Sequence, residues 1–158
     1  MTGQDYGQQG PLNIIIVEDS VVDAELVADA LREAGLTVDV RLVEEETALC
    51  AALDERLPDA ILSDWTLPRF SGRRALEIVR ERCPDVPLIF VSGTISEAYA
   101  SESLRQGAID FVYKHQLQRL GPALLREVLV REAEEAHDGI FPLLARPVQL
   151  HRLRRPGL

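Results

Sequence analysis

A chain of 158 residues with 46% hydrophobic side chains is long enough for one domain to bury roughly two-thirds of its unfolded surface. Two cysteines, Cys50 and Cys83, are too few for a disulfide framework and read as small buried hydrophobes of a reducing compartment. The formal charge of −9 disfavours non-specific nucleic-acid binding, no apolar run is long enough to span a membrane, and MTGQDYGQQG lacks the parts of a signal peptide, so a cytoplasmic location is expected.

Residues 1–11 read as a flexible lead. Leu12–Val17 (LNIIIV) is a continuous, largely β-branched run, the pattern of a central strand buried on both faces, and it ends in Glu18 and Asp19. Val27, Ala30, Leu31 and Ala34 then fall at i, i+3, i+4 and i+7 of a helix that Gly35 stops. Thr37–Val43 alternates apolar and polar residues, which predicts a half-exposed strand at a sheet edge. Glu44–Glu55 has helical period, and Leu57-Pro58-Asp59 turns the chain back.

Ala60-Ile61-Leu62 is a short apolar run that delivers Asp64 to a loop, TLPRFSG, which Pro68 keeps out of any sheet ladder. Arg73–Arg82 follows as a helix with Ala75, Leu76, Ile78 and Val79 on its apolar face. Leu88–Val91 is another buried strand, ending in Ser92-Gly93-Thr94. A weaker helix, Ser96–Gln106, presents Ala98, Ser101 and Leu104 as its small-residue face and stops at Gly107. Ile109–Tyr113 is a fifth strand that ends at Lys114. Pro122 suits the first turn of a last helix, with Leu124, Leu125, Val128 and Leu129 as its stripe. Five strands alternating with five helices predict an α/β fold, a parallel sheet with helices on both faces.

In a parallel sheet the carboxyl ends of all strands share one edge, where open α/β folds place their ligand sites. Four of the five strands end there in a chemically useful group: Glu18 with Asp19, Asp64, Ser92 and Lys114. Three carboxylates in one cleft repel unless a cation neutralises them, and oxygen ligands of this kind suit Mg²⁺ beside a phosphate. Ser92 offers that phosphate a hydroxyl and Lys114 a point charge. Lys114 is the sole lysine, the other 16 basic residues being arginine, which points to a need for a compact ammonium at this strand end.

Four phrases in this order, VEDS (Val17–Ser20), SDWTLPRFSG (Ser63–Gly72), VSG (Val91–Gly93) and GAIDFVYK (Gly107–Lys114), carry a specific likeness. From about Leu12 to Glu132 the chain resembles the receiver domain of two-component response regulators, of the single-domain type. VSGTIS adds a softer likeness to receivers that are fused to sensor kinases or work beside them. The resemblance implies a flavodoxin-like doubly wound sheet of order 2-1-3-4-5. It also implies that Asp64 accepts a phosphoryl group from a histidine kinase or phosphotransfer protein. By the same resemblance Glu18, Asp19, Asp64 and the Thr66 backbone carbonyl hold Mg²⁺, and Ser92 and Lys114 bind the phosphoryl oxygens. Phe111 falls at the aromatic switch position. The protein would be a phosphoacceptor switch rather than a turnover enzyme.

Some positions depart from the family pattern. Glu18 stands where Asp is common, and Phe111 lacks the hydroxyl of the usual Tyr. His115 replaces a common proline, so the Lys114–His115 bond is expected to be trans or in an altered loop. Gly93 should loosen the loop after Ser92. A haloacid-dehalogenase-like phosphatase would want a second acid where Thr66 stands, and in a flavodoxin Glu18 and Asp19 would repel the flavin phosphate. An unphosphorylated pseudo-receiver acting as an interaction module is opposed by the complete set of acids, hydroxyl and lysine.

The sequence beyond Glu132 leaves no room for an output domain, so output is expected through a protein contact on the fourth helix, fifth strand and fifth helix. Residues 137–158 carry four arginines against Asp138 alone, a net +3 that leaves −12 for the rest. Seven large apolar residues there, from Ile140 to Leu153, predict an arm that docks on its own domain or on a second copy as a homodimer.

Overall fold

The computed structural model describes residues 10–93 and 97–137. The expected flexible lead and the 137–158 arm lie almost wholly outside the described residues, as does Ser96, the expected start of the fourth helix. Among the described residues eleven elements follow one another: β1 Leu12–Val17, α1 Val21–Glu33, β2 Val38–Val43, α2 Glu46–Glu55, β3 Ala60–Ser63, α3 Gly72–Arg82, β4 Leu88–Ser92, α4 Glu97–Arg105, β5 Asp110–Tyr113, a short 3-10 turn over Lys114–Arg119, and α5 Leu120–His137. The strands form one parallel sheet in the order β2-β1-β3-β4-β5, as expected.

Side chains alternate across a strand, so the register divides the core into two layers. Ile15 pairs with Ile61, Ile61 with Leu88, and Phe90 with Phe111. Their side chains meet Leu49 and Leu53 of α2 and Leu76 and Val79 of α3 on one face. Ile14, Ile16, Leu62, Ile89 and Val112 point the other way, toward Val27 and Leu31 of α1 and Leu124 and Val128 of α5. Burying each such Leu, Ile or Phe is worth about 1.5–3 kcal/mol. The runs that read as continuous in sequence are β1, β3 and β4, which lie in the interior of the sheet; alternating β2 is an edge strand.

Two helix faces differ from expectation. In α1 the buried residues are Ala24, Val27, Ala28 and Leu31, while Ala34 is exposed, so the stripe sits one turn nearer the N-terminus. Alanine supplied too little bulk to fix which turn faced the sheet. In α4 Ala98, Ser101 and Leu104 are all exposed and Ser103 alone is fully buried. Its hydroxyl donates to the Ala100 carbonyl at 2.7 Å, which satisfies the polar group that made it look like a surface residue. In α5, Leu125 and Leu129 are half-buried, at the edge of a stripe carried by Leu120, Ala123, Leu124 and Val128.

The helix boundaries have local causes. Ser20 caps α1, its Oγ accepting from the Asp23 amide at 3.2 Å, and Ser71 caps α3 in the same way through the Arg74 amide at 3.1 Å. After α1, Gly35 has φ +91°, a left-handed stop that lets Leu36 N–H donate to the Leu31 carbonyl. No helix among the described residues is long and apolar enough to cross a membrane.

Candidate functional site

The sheet ladder runs on past the strand ends and carries the acids into one cleft. The Glu18 amide donates to the Val43 carbonyl and the Asp64 amide to the Val17 carbonyl, both at 2.9 Å. Glu18 and Asp64 are thereby held side by side, and both are buried; Asp19, one residue on, is exposed. One carboxylate oxygen from each of Glu18, Asp19 and Asp64 lies within 4.8 Å of the others. Hard oxygen donors gathered this closely are a donor set that fits a small divalent cation such as Mg²⁺.

Lys114 reaches the same place from β5, two strands away from Asp64, so its long arm passes over the end of β4. Its Nζ lies 2.8 Å from Glu18 Oε2, 2.9 Å from Asp23 Oδ2 and 3.0 Å from Asp64 Oδ2. An ammonium has three protons, and three carboxylates surround it. Among the described residues the cleft thus holds four acids against one base, an excess of negative charge that favours a divalent cation. Burial pushes the Glu18 carboxyl above its usual range, partly offset by its hydrogen bonds from Lys114 and the Ser20 amide. Burial works against the Lys114 ammonium, but the three carboxylates outweigh it and raise the pKa above that of an ordinary lysine.

Asp23 is a member of this cleft that sequence reasoning missed. In the sequence it is an acid in the first turn of a helix, where such residues commonly serve the helix dipole. Its position three residues after the capping Ser20, on a helix that starts beside Glu18 and Asp19, was the available signal.

The remaining expected residues take distinct places. Ser92 is buried at the end of β4, the strand between those of Asp64 and Lys114. Exposed Thr66 directs its amide toward Asp64 Oδ1 at 3.4 Å, a long contact, and makes an isolated bridge with Ser71. Phe111 packs inward, its ring 6.1 Å from Phe90 and 5.4 Å from Tyr113. Among the described residues, a Cβ added at Gly93 would meet Lys114 Cδ alone, at 3.9 Å. The Lys114–His115 bond is trans, as expected, and begins the 3-10 turn; the His115 ring stacks on Tyr113 at 5.4 Å.

The loop after Asp64 is tightly packed. Trp65 meets Phe90 edge-on at 5.0 Å and lies 6.1 Å from Tyr99 of α4. Gly72 opens α3 directly beneath it: a Cβ there would sit 2.7 Å from the Asp64 carbonyl oxygen, 2.8 Å from Phe90 Cε1 and 2.8 Å from Trp65 Cα. Only glycine allows so close an approach of helix and loop.

The sequence profile of the response regulator receiver domain matches residues 14–124 of this chain. The chain belongs to that family. This receiver domain is 35% identical over 99 residues to the luminescence regulatory protein LuxO of Vibrio campbellii, a match covering 63% of the chain and 21% of LuxO. It is 33% identical over 153 residues to the phosphate regulon transcriptional regulatory protein PhoB of Pseudomonas aeruginosa, covering 91% of the chain and 64% of PhoB. The receiver thus spans about a fifth of the length of the LuxO relative. Among solved structures, the signal receiver domain of a LuxO repressor protein from Vibrio parahaemolyticus superposes with a TM-score of 0.73 at 22% identity, covering 82% of the chain and 99% of that domain. That likeness is one of fold, and it agrees with the strand order. Receivers of this family act as phosphoacceptor switches in two-component signalling.

Proposed function

We propose that this receiver takes a phosphoryl group from a sensor histidine kinase or phosphotransfer protein onto Asp64 and, once charged, changes a protein-interaction face. The observation that carries the reading is the convergence of Glu18, Asp19, Asp64 and Lys114 on one cleft at the carboxyl edge of the sheet. An Asp64 carboxylate oxygen forms the new bond to phosphorus as the donor's phosphorus–nitrogen bond breaks. The imidazole nitrogen leaves with that electron pair. Lys114 would meet one phosphoryl oxygen with its ammonium, and Ser92 another with its hydroxyl. Glu18, Asp19, Asp64 and the Thr66 carbonyl would hold Mg²⁺, which when bound supplies positive charge against the phosphoryl oxygens.

Phosphorylation adds charge and acceptor oxygens, which draws the hydroxyl-bearing end of β4 toward Asp64. Phe111 is buried beside Phe90 of that same strand, so a switch here works through packing alone. The output face is α4, β5 and α5, where Tyr99, Leu104 and Val130 leave apolar side chains exposed. The setting is the cytoplasm, and the protein turns over no external substrate.

The deciding experiment is labelling with a small phosphodonor and Mg²⁺. Wild type should acquire base-labile phosphate and Asp64→Asn none. Base-labile phosphate persisting on the substituted protein would place the acceptor elsewhere.

A further inference from the structure

The contact between Lys114 and Asp23 joins residues 91 apart in sequence and has no part in the proposed phosphoryl transfer. Asp23 is neither the acceptor nor one of the three acids grouped as a cation site. It nevertheless stands as close to the ammonium as Glu18 and Asp64 do, at 2.9 Å against 2.8 and 3.0 Å. The three carboxylates differ in what else they can serve. Glu18 and Asp64 face the cation site, so a divalent ion there would draw on the same oxygens and compensate the same charges. Asp23 would remain the one partner of Lys114 whose charge the ion leaves uncompensated.

Its own placement is fixed. The Asp23 amide is tied to the capping Ser20 Oγ, and the Ser20 amide donates to Glu18 Oε1 at 3.1 Å. The first turn of α1 is therefore wired to the strand end that carries the acids. The helix dipole also favours a negative charge at that turn.

From this geometry we infer that Asp23 is a positioning residue: it holds the Lys114 ammonium on the α1 side of the cleft when a divalent cation occupies Glu18, Asp19 and Asp64. The inference rests on the phosphoacceptor reading for its purpose and on the Lys114 contacts for its substance. Without Asp23 the four-carbon arm would be free to sample rotamers as the cation claims its other two partners. A phosphoryl group would then meet a wandering ammonium rather than one already in place.

The chain offers an unusually clean test, because Lys114 is its only lysine. Protein grown with ¹³C,¹⁵N-lysine gives a single side-chain NMR signal set. With saturating Mg²⁺, wild type should show two inequivalent Hε protons and slow ammonium exchange. In Asp23→Asn, with unchanged circular dichroism, the two protons should collapse to one averaged signal and exchange should quicken. An unchanged lysine signal in that variant would overturn the inference.

Phosphodonor kinetics supply the second arm. Asp23→Asn should lower the labelling rate at saturating donor about tenfold, with little change in the donor concentration for half-maximal rate. The same substitution should have no further effect in a Lys114→Ala background, since it acts through Lys114. Equal losses in both backgrounds would show that Asp23 acts by another route and would also overturn the inference. The two readings fail separately: a wild type that takes no label tells against the phosphoacceptor role, whereas the lysine signal reports on Asp23 without phosphorylation.

Discussion

Two regions of this molecule pair opposite charges, and they do so in contrasting ways. Across the exposed surface of α2 and α3, Arg69 meets Glu45, Arg74 meets Glu46 and Glu77, and Arg82 meets Asp54. Among the described residues, every ion pair away from the cleft is made by an arginine. Base and acid there are nearly balanced, and water screens them. In the cleft a single ammonium is shared among Glu18, Asp23 and Asp64, with Asp19 close by. The surface pairs are self-sufficient, whereas the cleft is left deficient in positive charge. That deficit, more than any one residue, is what marks the site.

The largest effect should come from removing the one cation that the described residues place in the cleft. In metal-free protein, Lys114→Met leaves buried Glu18 and Asp64 without compensation, and should cost about 2–3 kcal/mol in a urea titration. This is below the usual cost of breaking a buried pair because Lys114 keeps 21% of its side-chain surface exposed. Adding Glu18→Gln should recover much of the loss, since the two residues are coupled. The pH dependence has a definite sign. The folded state raises the Lys114 pKa above 10.5, so the advantage of wild type over Lys114→Met is full below that pH. It is lost as the pH climbs through the raised value. An advantage that persists unchanged there would mean the ammonium is not the stabilising form.

A smaller but sharper effect concerns the cation. Trp65 is the only tryptophan and follows Asp64 directly, so Mg²⁺ should change its fluorescence in a saturable way. Glu18→Gln and Asp19→Asn should each move the midpoint several-fold to higher Mg²⁺. Identical midpoints in all three proteins would remove these acids from the ligand set. The smallest effect belongs to the surface. Arg82→Ala breaks the contact with Asp54, yet its urea midpoint should match that of wild type, in low salt and high. A clear loss there would erase the distinction between the two regions.

Much of this was legible in the sequence. β1, β3 and β4 announce themselves because a strand buried on both faces has no polar alternation to obscure it. Glu18, Asp19, Asp64, Ser92 and Lys114 could be gathered because topology alone brings strand ends to one edge. What could not be read has physical reasons. Ala24 and Ala28 differ in no sequence property from Ala30 and Ala34, so the rotation of α1 was undetermined. Ser103 is buried because a local carbonyl satisfies it, which hydropathy cannot register. The link from Asp23 to Lys114 depends on side-chain reach between elements far apart in the chain. The 3-10 turn after Lys114 follows from backbone angles that no periodicity reports.

Gly72 bears on where a reporter should be placed. The packing of α3 against the Asp64–Trp65 backbone gives the Asp64 loop a close-packed wall on one side, without slack for a methyl group. A spin label or dye near the start of α3 would report on that close-packed side. Gly93, by contrast, meets only the Lys114 stem among the described residues. A distance measured from the first position to the second would record any displacement of one wall of the cleft relative to the close-packed other.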